Sequence, residues 1–368
     1  KSDSDPKIEK DLREIEKLCS TFEKKYRGRP FTQSPQALLR VLKESDKLSE
    51  FVDSHAPSRY FRFKTDLDSN DSKSFAISTK YGNRLTEAGN KIKFLGLEIA
   101  KIPNNKYRLF LNYPTLQPYK YMLTKIFAHA KYNLSEGEEQ LEDLLGQPGY
   151  GMWVDTQEKL LNQQVIKHKE KDIPIAKAMA GLSDMPKFDR REVHKKINDV
   201  LKSISHVSEG EINAIYNFKK IMDKRRGYKK PYSATILGYE NDEKAIENFI
   251  SLVSKKFHIA HRFYKLHARL LKEKKIKLAD RGAKIGDIKT KFDFQKSVAM
   301  LRIVLGGFDK EYSGIFNKYL ENGQIDVYPK KGKTGGAYCA GYGQLPTFVL
   351  LNHVDTIRSL ETLAHEMG

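Results

Sequence analysis

Along its first third the chain carries apolar residues at alternating three- and four-residue steps, the period of one face of an α-helix. Ile8, Leu12, Ile15, Leu18 and Phe22 form such a stripe among Lys, Glu and Arg, which predicts an amphipathic helix over 8–26. Gly28-Arg29-Pro30 then interrupts the pattern. Ser34-Pro35 opens a second helix bearing Leu38, Val41 and Leu42, because proline is tolerated in a first helical turn. Further helices are predicted around Tyr60, Phe63 and Leu67, over 85–99 and over 119–130, with a polar surface loop from Asp66 to Lys73.

Two serines announce helix starts. Ser135-Glu136-Gly137-Glu138 and Ser208-Glu209-Gly210-Glu211 each place a hydroxyl where it can accept the third residue's N–H, with a glutamate there to reach back. The longest periodic stretch is 241–272, where Ile246, Ile250, Val253, Phe257, Ala260, Tyr264, Ala268 and Leu271 make one continuous stripe. A helix is predicted from Phe294 to Leu305, ended by Gly306-Gly307. Only after about residue 323 does the pattern change. Ile325-Asp326-Val327-Tyr328, Gly336 to Tyr342 and Thr347 to Asn352 read as short strands between Gly and Pro turns, followed by a helix starting at Asp355-Thr356.

Composition supports a largely helical protein with long exposed faces: charged residues make up 31% of the 368 positions and hydrophobic ones 39%. No apolar run approaches the roughly 20 residues that span a bilayer, and Lys1 to Glu16 is too polar for a signal segment. Two cysteines, Cys19 and Cys339, make no disulfide framework, so the simplest compartment is the cytoplasm. The start at Lys1 and the stop at Gly368, inside an unfinished amphipathic helix, lead us to expect a fragment of a longer protein. Lys plus Arg total 66 against 47 acidic residues, a formal charge of +19, but the cations are dispersed and fit a solvated surface.

The candidate chemistry sits in the last helix. Asp355 is a suitable N-cap, and Ile357, Leu360, Ala364 and Met367 supply an apolar stripe. His365 and a histidine one turn later would share a face and could hold one Zn²⁺, with Glu366 beside it as general base for the attacking water. A His-acid dipeptide is expected about once by chance in a chain of this composition. Context gives His365-Glu366 its weight. A glycine-rich segment, Gly335 to Tyr342, precedes the apolar strand 347–352 and then the capped helix. A thermolysin-like site needs that order: an edge strand for an extended substrate, a buried strand behind it, and a metal helix beneath. Glycine on the edge lets a substrate backbone approach.

Lys333-Thr334-Gly335-Gly336-Ala337-Tyr338-Cys339, Phe348-Val349-Leu350-Leu351-Asn352 and Thr362-Leu363-Ala364-His365-Glu366-Met367-Gly368 together resemble the catalytic core of the M3 metallopeptidases, and within them oligoendopeptidase F. The likeness continues upstream through Leu134 to Glu139 with Trp153, through 225–237 and through 242–280. Asp280-Arg281-Gly282 departs from the family by continuing with Ala283-Lys284. The resemblance implies a mainly α fold, with a helical N-terminal domain leading into the start of a thermolysin-like (zincin) α+β catalytic domain with a small sheet. Expected domains are 1–110, 111–190 (the oligopeptidase F-type region) and 191–368 (the first part of the peptidase domain). It further implies a closed, channelled molecule that cleaves short peptides with one catalytic zinc per complete enzyme. Carried over, His365 is the first zinc ligand, Glu366 the general base, and Gly336, Ala337 and Tyr338 lie on the substrate-facing edge strand.

Other features read as ordinary. Gly332-Lys333-Thr334 lacks the first glycine of a phosphate loop, since position 327 is valine, so Lys333 is expected as an exposed turn residue. His258, His261 and His267 share one helical stretch without a completing ligand, Cys339 has no implied histidine partner, and Trp153 belongs in a core or channel wall. The rival reading is a basic nucleic-acid scaffold, from Lys219-Lys220, Lys224-Arg225-Arg226 and Lys229-Lys230 interleaved with Tyr228 and Tyr232. A weaker one is a peptide-binding relative without catalysis. The favoured reading expects peptide substrates, with no nucleic acid and no membrane. A catalytic zinc needs about three protein ligands, and this chain offers His365. The 368-residue polypeptide is therefore expected to cleave nothing and to hold no catalytic zinc; metal analysis finding one tightly bound zinc per chain would overturn this.

Overall fold

The computed structural model describes residues 2–286, 290–343 and 345–368. The chain is mainly helical, about 70%, with two small sheets. It divides into two compact units, Lys1–Thr65 with Asp71–Asp155 and Glu211–Ala234, and Asp66–Asn70 with Thr156–Gly210 and Thr235–Gly368.

In the first unit the predicted stripes become the core. Helices Pro6–Tyr26 and Pro35–His55 start at Asp5 and Ser34, whose side chains accept N–H groups of the first turn, each with proline in that turn. Their inward faces bring Ile15, Cys19, Phe22, Leu38, Val41 and Leu42 into one cluster with Phe94, Phe110, Leu116 and Leu123. The stretch predicted as one helix over 85–99 is two, Ser72–Asn90 and Phe94–Ala100. Between them the amides of Lys91, Ile92 and Lys93 turn back to the carbonyls three residues earlier, so the α-ladder is lost just after Gly89-Asn90, both poor helix formers.

The Ser135 capping box forms in full and starts the helix Glu136–Gly146. The one expected at Ser208 does not: Ser208 lies inside the helix Ser205–Arg226, and its hydroxyl accepts a hydrogen bond from Gln157. The helical break comes earlier, at Ile204, where the preceding helix Lys187–Ser203 ends. At the far end of Ser205–Arg226 three of the cations noted as a possible nucleic-acid surface, Lys219, Arg225 and Arg226, are engaged by carboxylates within their own unit. Arg226 grips both carboxylate oxygens of Glu139 at 2.8 Å and also binds Glu142 and the Tyr132 carbonyl. Arg225 pairs with Glu138, Lys219 with Asp223, and Tyr228 stacks on Tyr132 at 4.2 Å. Burial alone would push Glu139 up, but Arg226 and the Leu134 N–H outweigh it and hold the carboxyl below its usual range. Half-buried Glu138 falls to about 2, chiefly through Arg225.

In the second unit an antiparallel hairpin, β1 (Val165–His168) and β2 (Lys171–Pro174), was not foreseen. Its two-residue turn holds Lys169 and Glu170 at φ 49° and 61°, a conformation usually given to Asn and Gly, so the sequence carries no turn signal there. Ile166 and Ile175 join Ala178, Val193 and Ile197 in a small core. The segment 280–284, where the sequence departs from the family resemblance, is firmly held. Asp280 is 1% exposed and accepts from both Arg190 and Arg191, while Ala283 O accepts from His267 and Lys284 pairs with Asp184.

The long stripe of 241–272 folds as two helices, Glu243–Lys255 and Phe257–Leu270, broken where Lys256 takes φ −101° and ψ 5°. Ile250, Val253 and Phe257 stay exposed, and of the stripe Ala268 is buried. Gly306-Gly307 do not end their helix, which runs Phe294–Phe308; Asp309 instead caps the next, Lys310–Glu321. Helix Phe294–Phe308 is apolar around most of its circumference: Val298, Leu301 and Leu305 are buried, while Ile303 (77%) and Phe308 (84%) are exposed.

The Arg226 cluster generates a stability prediction. Replacing Arg226 by alanine leaves Glu139 without its main partner, and should cost about 3 kcal/mol in urea unfolding. Arg13→Ala, which removes an exposed pair with Glu9, should leave the midpoint nearly unchanged.

Candidate functional site

The site is built on a three-stranded sheet in the second unit, β3 (Ile325–Asp326), β4 (Tyr338–Ala340) and β5 (Phe348–Leu350), in the order β3-β5-β4. All three strands fall where the alternation placed them, though each is shorter than predicted. Central β5 runs parallel to β3 and antiparallel to β4, with Cys339 opposite Val349 and Tyr338 opposite Leu350. The parallel pairing is prolonged by the amides of Val349, Leu351 and His353, which donate to the carbonyls of Gln324, Asp326 and Val327.

Strands this short make few ladder bonds, and side chains supply the rest. Lys333, expected as an exposed turn residue, is 1% exposed. Its ammonium meets Asp326 Oδ1 at 2.5 Å, Tyr328 O at 2.9 Å, Asp326 O at 3.4 Å and Leu351 O. The burial has a physical cause: three carbonyls, those of Asp326, Tyr328 and Leu351, converge at the end of the sheet beside the Asp326 carboxylate, and an ammonium carries three donors to meet them. Burial pulls the Lys333 pKa down, and Asp326 opposes that pull. Asn352, just past β5, donates to Thr334 O at 2.9 Å and Gly336 O at 2.8 Å.

The segment between these anchors is the glycine-rich one. Gly332 and Gly336 have φ of +86° and +79°, left-handed values that a side chain resists. A Cβ on Gly332 would also lie 2.7 Å from Asp68 and Asn70. The polar stretch read as a surface loop is thus an active part of the site's support. Asp66 is buried at the end of the helix Ser58–Leu67; its carbonyl accepts the Thr334 N–H and its carboxylate accepts the Tyr338 hydroxyl at 2.8 Å.

The terminal helix Ile357–Met367 is capped by Thr356, whose hydroxyl accepts the Ser359 N–H, and not by Asp355. Asp355 has φ +58°, and its amide donates instead to His353 Nδ1 at 3.2 Å. Leu363 is fully buried with Val349, Leu351, Leu301 and Phe316. The helix packs on β4 and on Phe294–Phe308. His365 is exposed and Glu366 half-buried in its last turn. Glu366 stands close enough to Cys339 that, after burial itself, its charge is what raises the thiol's pKa.

The expected site residues therefore sit as follows. Glu366 lies alongside β4, His365 is next to it on the outer face, Tyr338 begins β4, and Gly336 and Ala337 form the bend leading into it. Lys333, Asn352, Asp66 and His353 were missed. Of these only Asn352, a polar residue closing an apolar strand, carried a local signal. The donor set suits a zinc ion in part: one exposed imidazole with an adjacent carboxylate. Among the described residues no group of three His, Cys, Asp or Glu side chains is arranged to hold a metal.

Known proteins match almost the whole length of the chain. The family described as Oligopeptidase F matches residues 98–163, and Peptidase family M3 matches residues 187–368. The oligopeptidase PepF of Bacillus subtilis (strain 168) is 25% identical over 99% of the chain and 55% of its own length. The group B oligopeptidase PepB of Streptococcus agalactiae is 23% identical over 84% of the chain and 53% of its own length. A crystal structure of oligoendopeptidase-F from Enterococcus faecium superposes with a TM-score of 0.66 at 15% identity, covering 86% of this chain and 64% of that one. The chain thus spans little more than half the length of these two curated relatives.

His353 generates a pH prediction. Its ring is 3% exposed, 3.3 Å from Ser297 Oγ, and set edge-on to Phe294 and Tyr328. Burial lowers its pKa from the ordinary 6.5, with Asp355 opposing. Below 6.5 the unfolded chain then binds a proton that the folded one refuses, so stability is full above that pH and falls as the solution is acidified towards the folded value. Urea midpoints measured from pH 7.5 down to about 5 should show this slope in the wild type and a shallower one in His353→Gln.

Proposed function

Because this chain belongs to peptidase family M3 and is oligoendopeptidase F-like, we propose that the protein, at the full length of its relatives, is a zinc-dependent endopeptidase acting on short oligopeptides. The observation that carries the reading is the placement of Glu366: a carboxylate in the last turn of a capped helix packed on β4, the strand that the glycine-rich bend introduces. His365 would contribute one zinc ligand. Zinc, when bound, polarises a peptide carbonyl and acidifies water.

The chain's own residues would do the remaining work. An extended peptide would add to the sheet alongside β4, held by main-chain hydrogen bonds that do not depend on its sequence. Gly336 and Ala337 present little side chain there, which lets a substrate backbone come close. Glu366 would take a proton from the attacking water and return it to the departing amine nitrogen. Backbone-directed binding of this kind suits a broad set of short peptides. No helix among the described residues is long and apolar enough to cross a membrane; action on peptides in the cytoplasm is part of the proposal.

The nucleic-acid reading has weaker support, because Arg225, Arg226 and Lys219 are paired with carboxylates and Tyr228 stacks on Tyr132. A non-catalytic peptide binder would share the edge strand but have no use for Glu366.

The test is direct. The full-length protein should cleave peptides of several residues, lose activity to a chelator and regain it with zinc. Glu366→Gln should lower kcat by about 10²–10⁴-fold while zinc content stays intact, whereas His365→Ala should lower zinc content. Unchanged turnover in Glu366→Gln, or salt-sensitive oligonucleotide binding without peptide cleavage, would sink the assignment.

A further inference from the structure

The glycine-rich bend at 332–337 has an unusual problem: it must stay open to a ligand, yet it carries two glycines at positive φ and borders strands of two and three residues. Glycine gives such a segment freedom that folding must remove. The structure removes it with three side chains from outside the bend's own backbone ladder. At its start Lys333 turns its ammonium inward, onto carbonyls at the ends of β3 and β5 and onto Asp326. Across its middle Asn352 holds the carbonyls of Thr334 and Gly336. At its end the Tyr338 hydroxyl is fixed on buried Asp66, whose own carbonyl takes the Thr334 amide.

Two of the three act on backbone carbonyls, and the third joins the Tyr338 hydroxyl to the Asp66 carboxylate. Asn352 holds the carbonyls of Thr334 and Gly336 directly, and Lys333 ties the start of the bend to β3 and β5 through the carbonyls of Asp326, Tyr328 and Leu351, so the path of 334–337 is set before any ligand arrives. A pre-set path matters most for a partner recognised by main-chain hydrogen bonds, since ordering the bend would otherwise be subtracted from its binding energy.

We propose that Lys333 and Asn352 are positioning residues, Lys333 anchoring the start of the bend and Asn352 its carbonyls at 334 and 336, so that β4 meets an extended peptide substrate with its main-chain groups already aligned for binding. The proposal rests on the peptidase reading given above. It concerns binding more than bond cleavage, because Lys333 is buried away from solvent and acts only through the backbone it holds.

Two measurements test it. In the 368-residue chain, Lys333→Met keeps the length of the stem and removes the donors; Asn352→Ala, at a half-buried position, covers the case in which the first variant does not fold. Amide exchange at 334–340 should quicken about tenfold in either variant, with no change in helices Pro6–Tyr26 and Lys187–Ser203. Uniform acceleration along the chain, or none at the bend, would overturn the proposal. In the full-length zinc-loaded protein the same variants should raise KM for an extended peptide about tenfold and leave kcat within about twofold. A loss confined to kcat would also overturn it, since a residue that only supports the general fold, or one that joins the chemistry, would not produce that split. A wild-type protein that cleaves no peptide would remove the peptidase reading itself, and the exchange result, which needs no turnover, tells the two failures apart.

Discussion

A sheet whose strands are two and three residues long cannot hold itself together by its own ladder, and the rest of the candidate site depends on how that shortage is met. Buried carbonyls must find donors. Lys333 brings three at once to the end of β3 and β5, Asn352 brings two to the bend, and Gln324 adds another to Thr347 O at 2.6 Å. Burying a lysine is expensive unless the ammonium is paired and saturated. Here it is both, through Asp326 and the carbonyls of Tyr328 and Leu351, so the cost of desolvating one charge is offset by satisfying several acceptors at once.

Charge is used in two distinct ways in this molecule. Most of the excess of 66 basic over 47 acidic residues sits where solvent screens it. A few cations are drawn inward and fully engaged: Lys333 under the sheet, Arg190 and Arg191 on Asp280, and Arg226 on Glu139 and Glu142. Arginine takes the bidentate carboxylate sites and lysine the site lined by carbonyls, as their shapes dictate: a planar fork matches two parallel oxygens, and a compact ammonium suits acceptors arriving from several directions.

What the sequence made legible follows the same division. Periodicity announced the helices that build the first core, since their burial is one-sided and local: Leu12, Ile15, Cys19 and Phe22 all face inward. The three strands and the capped terminal helix were legible from Gly and Pro punctuation and from apolar runs. Breaks decided by tertiary fit were not. Lys256 interrupts a stripe that reads as continuous, Ser208 sits inside a helix despite a complete capping signature, and Lys169-Glu170 form a tight turn without turn residues. Lys333 and Asp66 were misjudged for one reason: a polar residue in a Gly- or Ser-rich stretch looks solvated until the partners that bury it, remote in sequence, are known.

The placement of the two cysteines has a practical consequence. Cys19 lies in the first unit's core, while Cys339 is exposed on β4 beside Glu366. These 368 residues therefore carry a built-in attachment point for a thiol-directed fluorophore at the candidate site. Burial and the Glu366 charge hold that thiol protonated to higher pH than usual, which slows both tagging and air oxidation near neutrality and makes mildly alkaline buffer the condition in which the label is best attached.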